Sequence, residues 1–265
     1  MSEQGNPIIS LSNVTFSYGK ETILKGVDLD IEEGSFICLL GSSGCGKSTL
    51  LSLLEGLNFP DSGSVKVNDK EITGPSIDRS VVFQDYSLFP WMSTGENVML
   101  ALRQAFPKLP EKERKERANK YFKLMGLENV YKKLPGELSG GMRQRAAIAR
   151  AFSIEAPILL MDEPFGALDA ITRSALQDLL LEMWSGNGKK RTVVFVTHDV
   201  DEALLLATRI IVLADGVVKE DLSVDYEGTR FRDYYFLEER TIALRQKILS
   251  FLETKEEEKT WTYSI

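Results

Sequence analysis

Apolar positions fall into short bursts near the two ends of the chain and into helical spacing between them. From Ile8 to Leu40 the pattern is strand-like: "IISLSNVTFSY" sets Leu11, Val14, Phe16 and Tyr18 close to alternation, and "SFICLL" is a compact apolar run that meets a glycine loop. The first reads as a sheet edge and the second as a buried strand. A further strand pair is expected around "GSVKVND", and "SVVFQD" is a third short apolar run, stopped at the polar Gln84. Then the period changes. Ser93 and Glu96 have the S-x-x-E spacing of a capping box, and "ENVMLALRQAF" follows as a helix that Pro107 and Pro110 break. "EKERKERANKYFKLMGL" predicts a charged helix with a late apolar side, stopped at Gly126. After Gly140 come a helix ("MRQRAAIARAF"), a buried strand ("PILLMDE"), a helix over Ile171 to Trp184 and the strand "TVVFVT". "IIVLADGVVKE" predicts a hairpin turning at Asp215 and Gly216, and the tail from Phe231 reads as a charged helix. Alternating helices and strands predict an α/β protein with additional β elements at its start.

With 265 residues, 43% of them hydrophobic, the chain can bury a real core in one or two domains. A net charge of -7 and a pI near 5.1 weigh against nucleic acid as a partner, since phosphates reward a basic surface. Cys38 and Cys45 are too few for a disulfide framework, and "MSEQGNPIIS" has neither the basic region nor the apolar stretch of a signal peptide. A reducing cytosol is the expected compartment. No apolar run approaches the roughly 18 residues of a membrane span, so the chain is not expected to cross a bilayer by itself.

Chemistry enters with "GSSGCGKS". Gly41, Ser42, Ser43, Gly44, Cys45, Gly46, Lys47 and Ser48 fit G-x-x-x-x-G-K-[ST] directly after a strand, the context that this pattern requires. Small residues let backbone N–H groups approach phosphates, the helix that begins with Ser48 and Thr49 turns its N-terminus to the anion, Lys47 neutralises charge, and Ser48 is a ligand for Mg²⁺. "ILLMDE" ends a strand at Asp162, suited to Mg²⁺, with Glu163 beside it as general base for an attacking water. Between these motifs lies "LSGGMRQR", in which Ser139, Gly140 and Gly141 open a helix N-terminus able to hold a second anion.

This order of motifs resembles the ATP-binding-cassette (ABC) ATPases from about Ile8 to Val218. The resemblance implies an α/β fold, a P-loop NTPase RecA-like core with an antiparallel β subdomain and an inserted α-helical subdomain at about 87–133. The ATPase domain would span 7–220, followed by a charged helical tail at 221–265. It also implies a head-to-tail dimer, with an identical or paired ATPase subunit, in which Ser139, Gly140 and Gly141 close on ATP held by the other chain. Gln84 resembles the Q-loop residue near the metal, Asp169 in "GALD" the D-loop, and His198 the switch histidine that hydrogen-bonds the γ-phosphate. His198 is the single histidine, which without the resemblance would read as structural. Tyr18 matches the aromatic on which adenine stacks.

"FPWMSTGENV" and "DEPFGALDAITR" are similar to importer ATPases of the nitrate, sulfonate, taurine and bicarbonate group, although "LSVDYEGTRFRDYY" stands where such chains often have an Arg-Pro-Arg stretch. An importer implies integral membrane permease subunits, an extracytoplasmic solute-binding protein and a peripheral place on the cytoplasmic face of the cell membrane. Phe89, Pro90 and Trp91 read equally as core packing or as part of a groove for a permease helix. Another small solute, or a soluble ABC ATPase without a transport role, are the alternatives. Cys45, inside the phosphate loop, is expected to be a thiol that bound nucleotide shields, and Cys38 to be buried and inert.

Overall fold

The computed structural model describes residues 7–185, 190–224 and 235–252. Strands β1 (Ile9–Tyr18) and β2 (Glu21–Ile31) pair antiparallel, β3 (Phe36–Leu40) leaves for a second sheet, and β4 (Ser62–Val67) and β5 (Lys70–Glu71) complete a four-stranded order β2-β1-β4-β5. The expected strand pair at "GSVKVND" is β4 and β5, joined by Asn68 and Asp69 at φ 50° and 60°, the backbone that a two-residue hairpin turn requires. The second sheet adds β6 (Arg79–Val82), β7 (Ile158–Asp162), β8 (Thr192–Thr197), β9 (Arg209–Ala214) and β10 (Val217–Ser223) in the order β10-β9-β3-β8-β7-β6. All its pairings are parallel except β9 with β10, whose hairpin turns at Asp215 and Gly216 as the sequence predicts.

β1 is not a sheet edge. It lies between β2 and β4, and the edges are β2 and β5. Alternation reports which face a side chain takes, whereas an edge is decided by in-plane hydrogen bonds to distant strands. The spacing from Leu11 to Val14, both buried, spans a bulge at Asn13, where φ is 47°, and the Asn13 N–H donates to Asp28 Oδ1 at 2.8 Å. One extra residue returns the next apolar side chain to the same face.

β3 explains the two cores. Phe36, Cys38 and Leu40 face one hydrophobic cluster and Ile37 and Leu39 the other, each fully buried, as a parallel strand covered on both sides must be. The second cluster lies between the parallel sheet, α1 (Lys47–Glu55) and the antiparallel sheet. The first holds α2 (Thr94–Ala105), α3 (Glu111–Leu124), α4 (Gly140–Ser153), α5 (Ala170–Ser185) and α6 (Val200–Leu206). The capping box at α2 is present, with the Glu96 N–H donating to Ser93 Oγ at 3.2 Å and the Ser93 N–H to Glu96 Oε2 at 2.7 Å. α3 stops at Gly126, φ 61°, where the Leu127 N–H reaches back to the Phe122 carbonyl at 2.8 Å in a Schellman closure.

Of the tail, Phe231 lies outside the described residues, and helix α7 spans Glu239–Leu252. The charged helix expected there also packs against the core. Ile248 is fully buried, the nearby Tyr235 hydroxyl donates to the Leu204 carbonyl at 3.0 Å, and Arg245 pairs with Asp201 on α6 at 2.7 Å. Among the described residues no helix is long and apolar enough to cross a membrane.

Candidate nucleotide site

The C-terminal ends of β3, β6, β7 and β8 lie side by side, the edge at which open parallel sheets bind ligands. From β3 the chain turns through Gly41–Gly46 into α1. A Cβ at Gly41 would lie 2.2 Å from the Leu213 carbonyl oxygen, and one at Gly46, where φ is 108°, would lie 2.8 Å from Leu24 Cδ2, so both positions require glycine. No side chain caps α1 and its first turn carries no acid, leaving N–H groups turned to an anion. Lys47 is buried, its Nζ donating to the carbonyls of Gly41 at 2.8 Å and Ser42 at 3.0 Å. Cavities of about 240 and 200 Å³ flank the loop, the first lined by Glu21, Thr22, Ser43 and Gly216, the second by Ile23, Lys47, Ser48 and Thr49. Tyr18, paired across the ladder with Glu21, is 54% exposed and rests edge-on against Phe16 with ring centres 4.9 Å apart.

The Cys45 thiol is more enclosed than a loop position implies. Cys45 is 6% exposed, its sulfur under the loop, 2.6 Å from where a Gly41 Cβ would stand and 4.0 Å from Lys47 Nζ. The fold itself already covers most of this thiol, although Cys45 is among the residues that line the cavity beside the loop. Cys38 is buried on β3 as expected.

Ser48 Oγ donates to Asp162 Oδ1 at 3.2 Å. Burial pushes the Asp162 carboxyl above its usual range, the Ser48 hydrogen bond and Lys47 pull it back, and Glu163 pushes the same way as burial. A cation would relieve that. A hydroxyl and one carboxylate suit Mg²⁺, which takes few protein ligands and keeps water and phosphate oxygens. Gln84 is exposed in the turn after β6, which pairs with β7 through Val82 and Met161. No hydrogen bond joins it to Ser48 or Asp162 among the described residues.

Glu163 has a left-handed backbone, φ 43°, unusual for a residue with a Cβ. Its N–H donates to the Val196 carbonyl at 3.1 Å, which turns its carboxylate toward β8, and Oε2 lies 3.4 Å from His198 Nδ1. The imidazole is 65% exposed and the Glu163 side chain 25%, so the histidine is the solvent-facing member of the pair.

Ser139, Gly140, Gly141 and Asp169 are elsewhere on the chain, and neither cavity beside the phosphate loop includes them. Ser139 caps α4, its Oγ accepting the Met142 N–H at 3.3 Å, and a Cβ at Gly141 would lie 3.3 Å from the Leu168 side chain. Asp169 caps α5 by accepting the Thr172 N–H at 2.9 Å, and that bond holds its carboxyl below the usual range. The N-termini of α1 and α4 are thus two different helix ends, and only that of α1 adjoins the phosphate-loop cavities. Four residues not anticipated from sequence shape the segment after Gln84: Tyr86 and Ser87 take φ 68° and 44°, and α4 pins them, Arg150 through both their carbonyls and Arg143 over the Tyr86 ring at 5.4 Å. Phe89 and Trp91 are 40% and 73% exposed, which removes core packing as their reason. Phe89 borders a groove of about 470 Å³ with Arg79, Leu88, Arg150 and Ile154. That groove is larger than the cavities at the phosphate loop but holds none of the chemistry.

A match to the ABC transporter family covers residues 24–166. The chain is 43% identical to the bicarbonate transport ATP-binding protein CmpD of Synechococcus elongatus, over 93% of this chain and 91% of that one. It is 44% identical to the nitrate import ATP-binding protein NrtD of the same organism, over 88% and 86%. Among solved structures, the dimeric post-hydrolysis state of the ATP-binding cassette MJ0796 bound to ADP and Pi superposes with a TM-score of 0.74 at 35% identity, covering 83% of this chain and all of that one. With the P-loop core, antiparallel sheet and inserted helices in place, the chain belongs to the ABC transporter family as an ATP-binding ATPase.

Proposed function

We propose that this chain is the ATP-hydrolysing subunit of an importer for a small anion such as bicarbonate or nitrate, working as a dimer on separate permease subunits at the cytoplasmic face of the membrane. The observation that carries the reading is the separation of two half-sites in one chain: the loop of Lys47 with Ser48, Asp162, Glu163 and His198 on the sheet edge, and the cap of Ser139 with Gly140 and Gly141 away from it. Two chains arranged head to tail complete two sites. In each, the N–H groups from Gly41 to Thr49 and Lys47 hold the phosphates, and Tyr18 stacks on adenine. Ser48 and Asp162 would hold Mg²⁺, with Gln84 as a further candidate ligand, and the ion would supply charge neutralisation at the phosphates. Glu163 takes the proton of the attacking water, His198 donates a hydrogen bond to a γ-phosphate oxygen, and the partner's signature turn and Asp169 loop exclude water. Residues 7–220 form this machinery and 221–265 an appended tail. The groove beside Phe89 and Trp91 suits a permease helix, and an extracytoplasmic solute-binding protein would deliver the cargo.

Uptake tests the importer. Cells whose only copy carries Glu163→Gln should lose accumulation of labelled bicarbonate or of nitrate, and which one is lost names the anion. Unchanged uptake of both would overturn the assignment.

A further inference from the structure

The contacts that hold His198 in place lead away from the nucleotide. Its neighbours are Thr197, the last residue of β8, and Asp199, the cap of α6. The Thr197 hydroxyl accepts the Asp199 N–H at 3.0 Å and donates its own proton to Glu202 Oε2 at 2.6 Å. The turn carrying the histidine is therefore clamped on both sides by one hydroxyl, and the direction of that hydroxyl is set by Glu202. The other carboxylate oxygen, Oε1, accepts from Gln177 Nε2 at 2.7 Å. Gln177 lies on α5, the helix that Asp169 caps, and Arg173 of α5 donates to the Leu168 carbonyl at 3.1 Å. Glu202, Gln177 and Thr197 are 8%, 4% and 3% exposed. A small cavity of about 90 Å³, lined by Glu163, Arg173, Thr197, His198, Asp199 and Glu202, lies beside them.

A carboxylate withdrawn this far from water is unfavourable unless both oxygens are satisfied. Burial raises the Glu202 carboxyl, while Thr197, Gln177 and Arg173 each favour its charged form. An apolar side chain would fill the gap between α5, β8 and α6 without that cost, but it could not orient the Thr197 hydroxyl. We infer that Glu202 is a positioning residue for hydrolysis: through Thr197 it fixes the turn that carries His198, and through Gln177 it ties that turn to the helix behind the Asp169 loop. This rests on the reading of His198 as the group that meets the γ-phosphate.

The test compares Glu202→Leu with Glu202→Gln, whose amide keeps both hydrogen bonds once Gln177 turns its own amide over. In Glu202→Leu, kcat should fall by about tenfold or more while KM for ATP and ADP affinity stay within about twofold, and Glu202→Gln should return the rate to within about threefold of wild type. In single-turnover assays on a His198→Ala background, Glu202→Leu should slow hydrolysis by no more than about twofold, because residues acting through one another do not add. The inference is overturned by a wild-type rate in Glu202→Leu, by ADP affinity and rate falling together, by a Glu202→Gln variant as slow as Leu, or by the full loss recurring without His198. If Glu202→Leu melts below the assay temperature, Thr197→Val, which removes the hydroxyl but keeps the shape, must give the same pattern. His198→Ala hydrolysing at the wild-type rate would sink the site reading itself. A slow His198→Ala beside a normal Glu202→Leu sinks only the inference.

Discussion

Glu163 and His198 face each other across 3.4 Å at the ends of two adjacent strands, and the left-handed backbone of Glu163 is what turns the carboxylate there. A residue holds such a conformation only when its surroundings over-determine it. Here β8 does so, through the Val196 carbonyl. Because the imidazole is 65% exposed, its removal takes little from the core. His198→Ala should therefore keep the melting temperature and the affinity for ADP, which has no γ-phosphate to touch. Hydrolysis should fall by about 30- to 1000-fold, the worth of a charge-assisted bond of roughly 2 to 4 kcal/mol in a closed site. Melting curves and ADP titrations beside the rate decide the matter: a joint collapse of all three would make the histidine structural.

α1 joins the site to the interior at the scale of an element. Its uncapped N-terminus faces the phosphate loop, and its last residue, Glu55, is 7% exposed. Burial, and then the Asp162 charge, push the Glu55 carboxyl from near 4.5 up to about 7. In the unfolded chain the group ionises at the lower value, so between these two pH values the folded state binds more protons than the unfolded one, and stability falls as pH rises. Below both values the effect is absent. Glu55→Gln, which has no proton to release, should flatten melting temperature against pH from about 4.5 to 7 and stabilise the nucleotide-free protein by roughly 1 to 3 kcal/mol above that window. An unchanged slope would mean that Glu55 ionises normally.

At the scale of the whole molecule, neither cavity beside the phosphate loop includes the signature turn, and the proposed head-to-tail pair makes a prediction about concentration. ATPase rate per chain should climb with protein concentration until the dimer saturates. Glu163→Gln keeps the size and hydrogen bonding of the side chain but removes the base, so ATP should bind and not be consumed. Gel filtration with ATP and Mg²⁺ should then find a lasting dimer. A variant that elutes as a monomer, or hydrolyses at the wild-type rate, contradicts the assignment.

What could be read from the residues alone was what depends on near neighbours. The spacing of Gly41, Gly46 and Lys47, the Ser93–Glu96 box, the stop at Gly126 and the turn at Asp215 and Gly216 each follow from backbone geometry over a few positions. Tyr18, Gln84, Asp169 and His198 were singled out only by the resemblance to a family, since their immediate neighbours do not distinguish them from structural residues. Tertiary structure alone decided that β1 has strands on both sides, that the Cys45 sulfur turns under its loop, and that the charged tail docks Ile248 and Tyr235 beside α6. It also brought Gln177 to Glu202 across 25 positions and Arg150 to Ser87 across 63. Nothing local marks such pairs, because a buried polar side chain has a sequence signature no different from an exposed one until packing withdraws its water and leaves only one partner within reach.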